Sequence, residues 1–167
     1  MKTCLLAAVV VLGLVRVASA EEEAGFPRFY VGVSASGVIP QGGGGRSTLG
    51  GAALRGGYYV TESFAGEGEV AWLEDACALT AQGLWHLHGW DVYDRLFGYS
   101  RFDPFLTGGV KGWMGRRDGQ VGPKVGFGAF YYLSDAWAIR GDADAVLGLN
   151  GETCVDYSLA IGLQYSF

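Results

Sequence analysis

The sequence predicts an all-β fold, eight antiparallel strands closed up and down into a barrel, on three observations. The first is Val155 to Phe167, whose odd positions Val155, Tyr157, Leu159, Ile161, Leu163, Tyr165 and Phe167 are apolar or aromatic, while the even ones are Asp156, Ser158, Ala160, Gly162, Gln164 and Ser166. A two-residue period sustained over thirteen residues is a strand with two unlike faces. The second is that seven further stretches repeat this period, and none shows the i, i+3, i+4 spacing of a helix. The third is that the more apolar parity of every strand carries no charge, so charged residues collect on the opposite face. An even number of antiparallel strands can close on itself and leave no edge unpaired.

The amino terminus has the form of an export leader. Met1-Lys2 gives a positive start, Cys4 to Val15 is apolar, and Ala18-Ser19-Ala20 is a small-x-small cleavage site ahead of Glu21-Glu22-Glu23. The apolar run is shorter than the about twenty residues of a membrane helix, so residues 1-20 read as a cleaved signal peptide. Residues 21-28 are a short lead, and 29-167 form one domain. Removing Lys2 and Arg16 leaves 10 basic against 17 acidic residues, a net charge of −7. Such a chain has no electrostatic basis for binding nucleic acid.

Eight strands are predicted in order. Phe29 to Ser36 leads into a Gly-rich loop over 37 to 49 that holds Pro40. Ala52 to Val60 sets Leu54, Tyr58 and Val60 against Arg55 and Gly57, and Thr61-Glu62-Ser63 turns the chain into Phe64 to Leu73, with Val70 and Trp72 opposite Glu67 and Glu69. Cys77 to His88 sets Leu79, Ala81, Trp85 and Leu87 against Thr80, Gln82, His86 and His88. A longer connection over 89 to 102 precedes Pro104 to Met114, with Leu106, Val110 and Met114 opposite Thr107 and Lys111. Pro123 to Leu133, Trp137 to Leu147 and the closing Val155 to Phe167 complete the set.

The length of the last strand slightly exceeds the about nine to eleven residues that a tilted strand needs to cross a bilayer. A Lys or Arg facing lipid at mid-membrane costs about 2–4 kcal/mol, which would produce the charge-free parity. The inward set is then Arg28, Arg55, Lys111, Lys124 and Arg140 with Glu67, Glu69, Asp142, Asp144 and Asp156. Eight strands leave a lumen only just wide enough for side chains, so these ten residues are expected to pair with one another. Trp72 and Trp113 fall toward one rim, and Tyr58, Trp85, Tyr131, Trp137 and Tyr165 toward the other.

Gly162-Leu163-Gln164-Tyr165-Ser166-Phe167 resembles the closing-strand signature of bacterial outer-membrane β-barrels. Segments such as Phe29-Tyr30-Val31-Gly32-Val33 and Leu54-Arg55-Gly56-Gly57-Tyr58 look like strands of the small OmpA and OmpX type. The resemblance covers the mature chain and implies residence in the cell outer membrane among its lipids. It also implies insertion by the barrel assembly machinery through Gly162, Tyr165 and Phe167, a monomer, and a structural or narrow porin-like role without catalysis. Two departures stand out. The 89 to 102 connection is long where the family has short turns, and Glu74-Asp75 is short where it has long loops.

Other constellations are weaker. His86-x-His88 puts two imidazoles on one face, but two ligands do not make a metal site, and no Ser stands in a motif with them to support a lipid-modifying enzyme. Cys77 and Cys154 both map to the outer rim, where oxidising conditions permit a disulfide, although strands four and eight lie on opposite sides of the ring. Gly42 to Gly45 is followed by no Lys-Ser or Lys-Thr and reads as a surface loop rather than a phosphate cradle; the loops over 37 to 49, 115 to 120 and 148 to 153 carry a rival reading as a surface-binding protein. No cofactor or metal is expected.

Overall fold

A computed structural model describes residues 29–41, 48–74, 76–87, 101–115, 121–148 and 154–167. The predicted leader, the lead with Arg28, His88 and most of the predicted loops lie outside them. Eight strands follow in order: β1 Phe29–Gln41, β2 Leu49–Thr61, β3 Phe64–Leu73, β4 Ala76–His86, β5 Phe102–Gly115, β6 Val121–Tyr132, β7 Trp137–Gly148 and β8 Cys154–Ser166. Each pairs antiparallel with its sequence neighbours, and β1 pairs with β8, so the sheet closes as a barrel.

Several strands run longer than the alternation alone indicated. β1 continues through Gly37, Val38 and Ile39 into the segment predicted as loop, because these residues find partners in Leu159, Ser158 and Tyr157 of β8. Val38 turns inward and Ile39 outward, so the period holds across the glycine. β5 begins at Phe102 rather than Pro104, which brings Asp103 into the strand. β4 ends at His86; one residue on, the Leu87 amide donates to the Pro104 carbonyl at 2.8 Å.

Among the described strand residues no charged side chain faces outward. The outer wall is made of residues such as Val33, Val125, Phe127, Leu159 and Ile161, all more than half exposed. Aromatic side chains ring the end that holds both strand termini: Tyr58, Phe64, Trp85, Tyr131, Trp137 and Phe167 are exposed there. Phe29 packs on Tyr58 at 4.7 Å and Trp137 on Tyr165 at 4.8 Å. The far rim is sparser, with Trp72 and Tyr157. Trp113 corrects the sequence reading. It points into the barrel at 3% exposure, because it shares the parity of Thr107 and Lys111.

The lumen is filled in three layers. At the terminal end Tyr30, Tyr59, Leu84, Phe105 and Phe130 form one apolar cluster, with Tyr132 against it. At the far end Val38, Leu49, Ala71, Leu73, Ala78 and Trp113 form a second. Charged and amide side chains occupy the space between. Two of the large inward residues fit because a neighbour lacks a side chain. A Cβ on Gly57 would lie 2.2 Å from the Tyr30 ring, and one on Gly128 would lie 2.4 Å from the Phe105 ring.

Gly57→Ala should therefore displace the Tyr30 ring and lower stability by about 1–3 kcal/mol, the usual cost of overpacking. Urea unfolding in lipid vesicles would measure it. Because both changes act through one contact, the loss in a Gly57→Ala, Tyr30→Ala double variant should fall short of the sum of the two singles.

Candidate functional site: the charged band of the lumen

Nine of the ten residues in the inward set lie in described strands, and all nine face the lumen. Three strands that are not all adjacent supply the centre: β2 gives Arg55, β3 gives Glu67 and Glu69, and β7 gives Arg140 and Asp142. Arg140 is the most enclosed, at 2% exposure. Its Nε and Nη2 donate to Asp142 Oδ1 at 2.9 and 2.7 Å, its Nη2 also reaches Glu67 Oε1 at 3.1 Å, and its Nη1 donates to Glu67 Oε2. The guanidinium also lies 4.8 Å from the Phe105 ring centre and 5.2 Å from that of Phe130. One residue thus joins the charged band to the aromatic layer below it.

Asp142 serves two arginines. Its Oδ2 accepts from Arg55 Nη1 at 2.7 Å, while Arg55 Nη2 reaches Glu69 at 2.9 Å and Ser34 Oγ at 2.9 Å. Glu67 takes two further donors, the Tyr30 hydroxyl at 2.8 Å and Gln82 Nε2 at 2.5 Å. A carboxylate offers about four lone-pair sites, so Glu67 is saturated by neutral and cationic donors together. Gln82 passes the network on, since its Oε1 accepts from Lys124 Nζ. Lys124 pairs with Asp144 at 3.0 Å, and Thr107 and Ser158 donate to Asp144 at 3.3 and 3.4 Å. Asp156 is buried on β8 beside Val146 of β7.

A second polar group sits at the terminal end. His86 Nδ1 lies 2.6 Å from Asp103 Oδ2, which also accepts from the Tyr132 hydroxyl at 3.2 Å. The imidazole stacks on Phe130 with 8° between planes and 5.6 Å between centres, and Phe105 and Tyr59 close its other sides. His86 thus spends one ring nitrogen on a carboxylate inside an aromatic layer. Among the described residues no group of three or more His, Cys, Asp or Glu is placed to hold a metal ion. Asp103 was missed in the sequence because the strand was started at Pro104; its parity with Thr107 and Lys111 was the available signal. Tyr30, Ser34 and Gln82 also belong to the band, and only their inward parity marked them.

The closing-strand residues divide between the faces. Gly162 is inward-phased and sits so close to β1 that a Cβ would be 2.2 Å from the Val33 carbonyl. Tyr165 and Phe167 lie at the outer terminal rim with ring centres 5.0 Å apart. Cys77 and Cys154 fall on β4 and β8, four strands apart in either direction around the ring, and the Cys154 side chain lies outside the described set.

A closed ring of eight antiparallel strands, apolar outside and charged within, has a specific counterpart among solved structures. The fold is that of the small transmembrane β-barrels. A de novo designed transmembrane β-barrel superimposes with TM-score 0.61 at 16% identity, over 87% of this chain and 100% of that one. Neisserial surface protein A gives 0.63 at 13%, over 83% and 97%. The outer membrane protein OprG from Pseudomonas aeruginosa gives 0.64 at 11%, over 85% and 96%. No protein-family model and no curated protein sequence matches the chain.

Removing one partner from a buried charge cluster leaves the others uncompensated, at about 3–5 kcal/mol. Glu67→Ala, which strips Arg140, Tyr30 and Gln82 of a shared acceptor, should lose that much by urea unfolding in vesicles. An outward Val33→Ala change should lose far less, since it leaves no buried charge behind.

Proposed function

We propose that the chain is an integral outer-membrane protein that crosses the bilayer as a sealed barrel and acts structurally, without catalysis. One observation carries this reading: the lumen is blocked at three heights, by two apolar clusters and by the ion-paired band between them. A route for solute would need all three to move. A narrow, gated pore is the alternative within the same class, and it would require Arg140 and Arg55 to leave Asp142 together.

The charge-free outer wall supports placement in hydrocarbon, because a barrel in water would turn its ionic face outward. The exposed aromatic ring at the terminal end supports an interface there. That two structural neighbours are named as an outer membrane protein and a surface protein favours the bacterial outer membrane as the location. Insertion through the last strand, with Tyr165 and Phe167 displayed on the outer rim, belongs to the same reading. A lipid-modifying role for His86 finds no support in its surroundings, since the ring faces the lumen and not the lipid. Surface binding by the far-end loops concerns residues outside the described set.

Two measurements test the proposal. Purified protein in planar bilayers should show no steady conductance step; a reproducible open level in most insertions overturns the sealed reading. Val125→Lys, at an outward site 64% exposed on β6, should cost about 2–4 kcal/mol in vesicle unfolding if lipid covers it. An unchanged midpoint would mean that water does.

A further inference from the structure

The outer wall carries a groove. The strand pairings set Pro104, Ala129, Gly141, Ile161, Ala35 and Ala52 in one register row across β5, β6, β7, β8, β1 and β2, and the row ends at Trp72 of β3. All share the outward parity, and before Trp72 only Ile161 is a long side chain. The next row toward the terminal end is large throughout, with Tyr131, Ile139, Leu163, Val33 and Leu54 side by side. On the other flank Phe127 and Leu159 project at 64% and 56% exposure, with Ala143 between them. Rows on one face lie two residues apart, about 6.6–6.8 Å, so the small row is the floor of an open groove one row wide. Its main part is about 750 Å³, running from Phe102 across Gly141 to Ala35. A second part of about 500 Å³ shares Ala35 and Ile161 with the first and continues to Trp72.

Direction and charge say what fits there. Strands of such barrels tilt by about 35–45°, so a row at right angles to them crosses the wall diagonally, from Phe102 at the terminal rim to Trp72 at the far one. The residue before Phe102 is Arg101, which is exposed. Its carbonyl accepts from the Tyr132 amide at 2.8 Å, which ties it to the edge of β6. The other described cations, Arg55, Lys111, Lys124 and Arg140, are all buried in the lumen. Glu62 and Asp135 lie in turns of the same rim, and among the described residues neither pairs with Arg101. The groove therefore begins beside a cation at the interface and continues as an apolar channel through hydrocarbon. A second copy of the barrel is convex and far wider than one row, so it would bridge the flanks without reaching the floor.

We propose that this groove seats one acyl chain of an anionic phospholipid whose phosphate is held by Arg101. The site rests on the membrane reading given above. A guanidinium offers a phosphate paired N–H donors, and the groove gives the chain contacts on three sides where a flat wall gives one. The lipid is thus distinguished from its neighbours in the bilayer at both its head and its tail.

Native mass spectrometry, which counts the lipids that stay bound when detergent is stripped away, tests the site. The refolded protein is mixed with equal amounts of a phosphatidylglycerol and a phosphatidylcholine that carry the same chains. Wild type should keep one phosphatidylglycerol, preferred about fivefold, as one arginine near the surface implies. Glycerol phosphate, a head without a tail, should not displace it. Gly141→Leu fills the floor and should lose the bound lipid; a Cβ added there meets nothing within 4 Å, so the strand is not disturbed. Ala129→Leu should act in the same way, Arg101→Gln should level the preference between the two lipids, and Val125→Leu, outward but off the groove, should change nothing. Equal retention of both lipids by wild type, a Gly141→Leu variant that keeps its phosphatidylglycerol, or a mass of two chains in place of bound lipid overturns the site. Gel mobility with and without boiling checks folding and vesicle insertion is scored separately, so a barrel that inserts yet retains no lipid removes the groove alone.

Discussion

Everything in this molecule follows from a single division of phase: in a strand, side chains alternate between two faces, and here one face can carry no charge. Every ionic residue of the described strands is therefore driven into a lumen filled by side chains. The cost of isolating a charge in such a place is large enough that partners become obligatory. Arg140, Asp142, Arg55 and Glu67 are the result. Each of the two arginines is shared between carboxylates, Asp142 is shared between arginines, and Glu67 adds a phenol and an amide. Since β2, β3 and β7 all contribute, the band ties strands across the ring as well as along it, which a sheet's own ladder cannot do.

Packing inside the ring obeys the same scarcity of space. Tyr30 reaches Glu67 by crossing the position where a Gly57 side chain would stand, and Phe105 occupies the volume that Gly128 leaves. The 29 glycines of the sequence thus include several whose role is to be absent from a volume that a neighbour on the next strand fills. Arg140 is where the two needs meet. Its charge satisfies Glu67 and Asp142 while its flat face covers Phe105 and Phe130, so the boundary between ionic and aromatic layers is one side chain thick.

The alternation made strand number, closure and facing legible from the sequence, since period two is a local property of the chain. β8 shows this at its clearest, with no exception from Val155 to Phe167. Partnership was not legible. Arg140 and Glu67 are 73 residues apart, and their meeting depends on tilt and on the stagger of eight strands, which no single strand encodes. Two misreadings came from setting parity aside. Trp113 was placed on a rim because aromatic residues gather there, although Lys111 two residues earlier already fixed its face as inward. Asp103 was cut off when Pro104 was taken as a strand start. That proline lacks a donor but still accepts from Leu87 through its carbonyl, so it terminates hydrogen bonding on one side only and the strand runs through it.

The position of His86 shows how far the same rule extends. Read as sequence, a histidine two residues from another suggests ligation, yet its parity places it with Thr80, Gln82 and Leu84 on the inner wall of β4. There the deciding neighbours are Asp103 from β5 and the ring of Phe130 from β6, both set by register. An imidazole can lie flat in an aromatic stack and still satisfy a carboxylate at its edge, which neither a second phenylalanine nor a lysine could do in that space. The terminal-end layer is thereby apolar in shape and polar at one point. Asp103 can be buried there because His86 and Tyr132 both reach it, as Glu67 can be buried because Arg140 does.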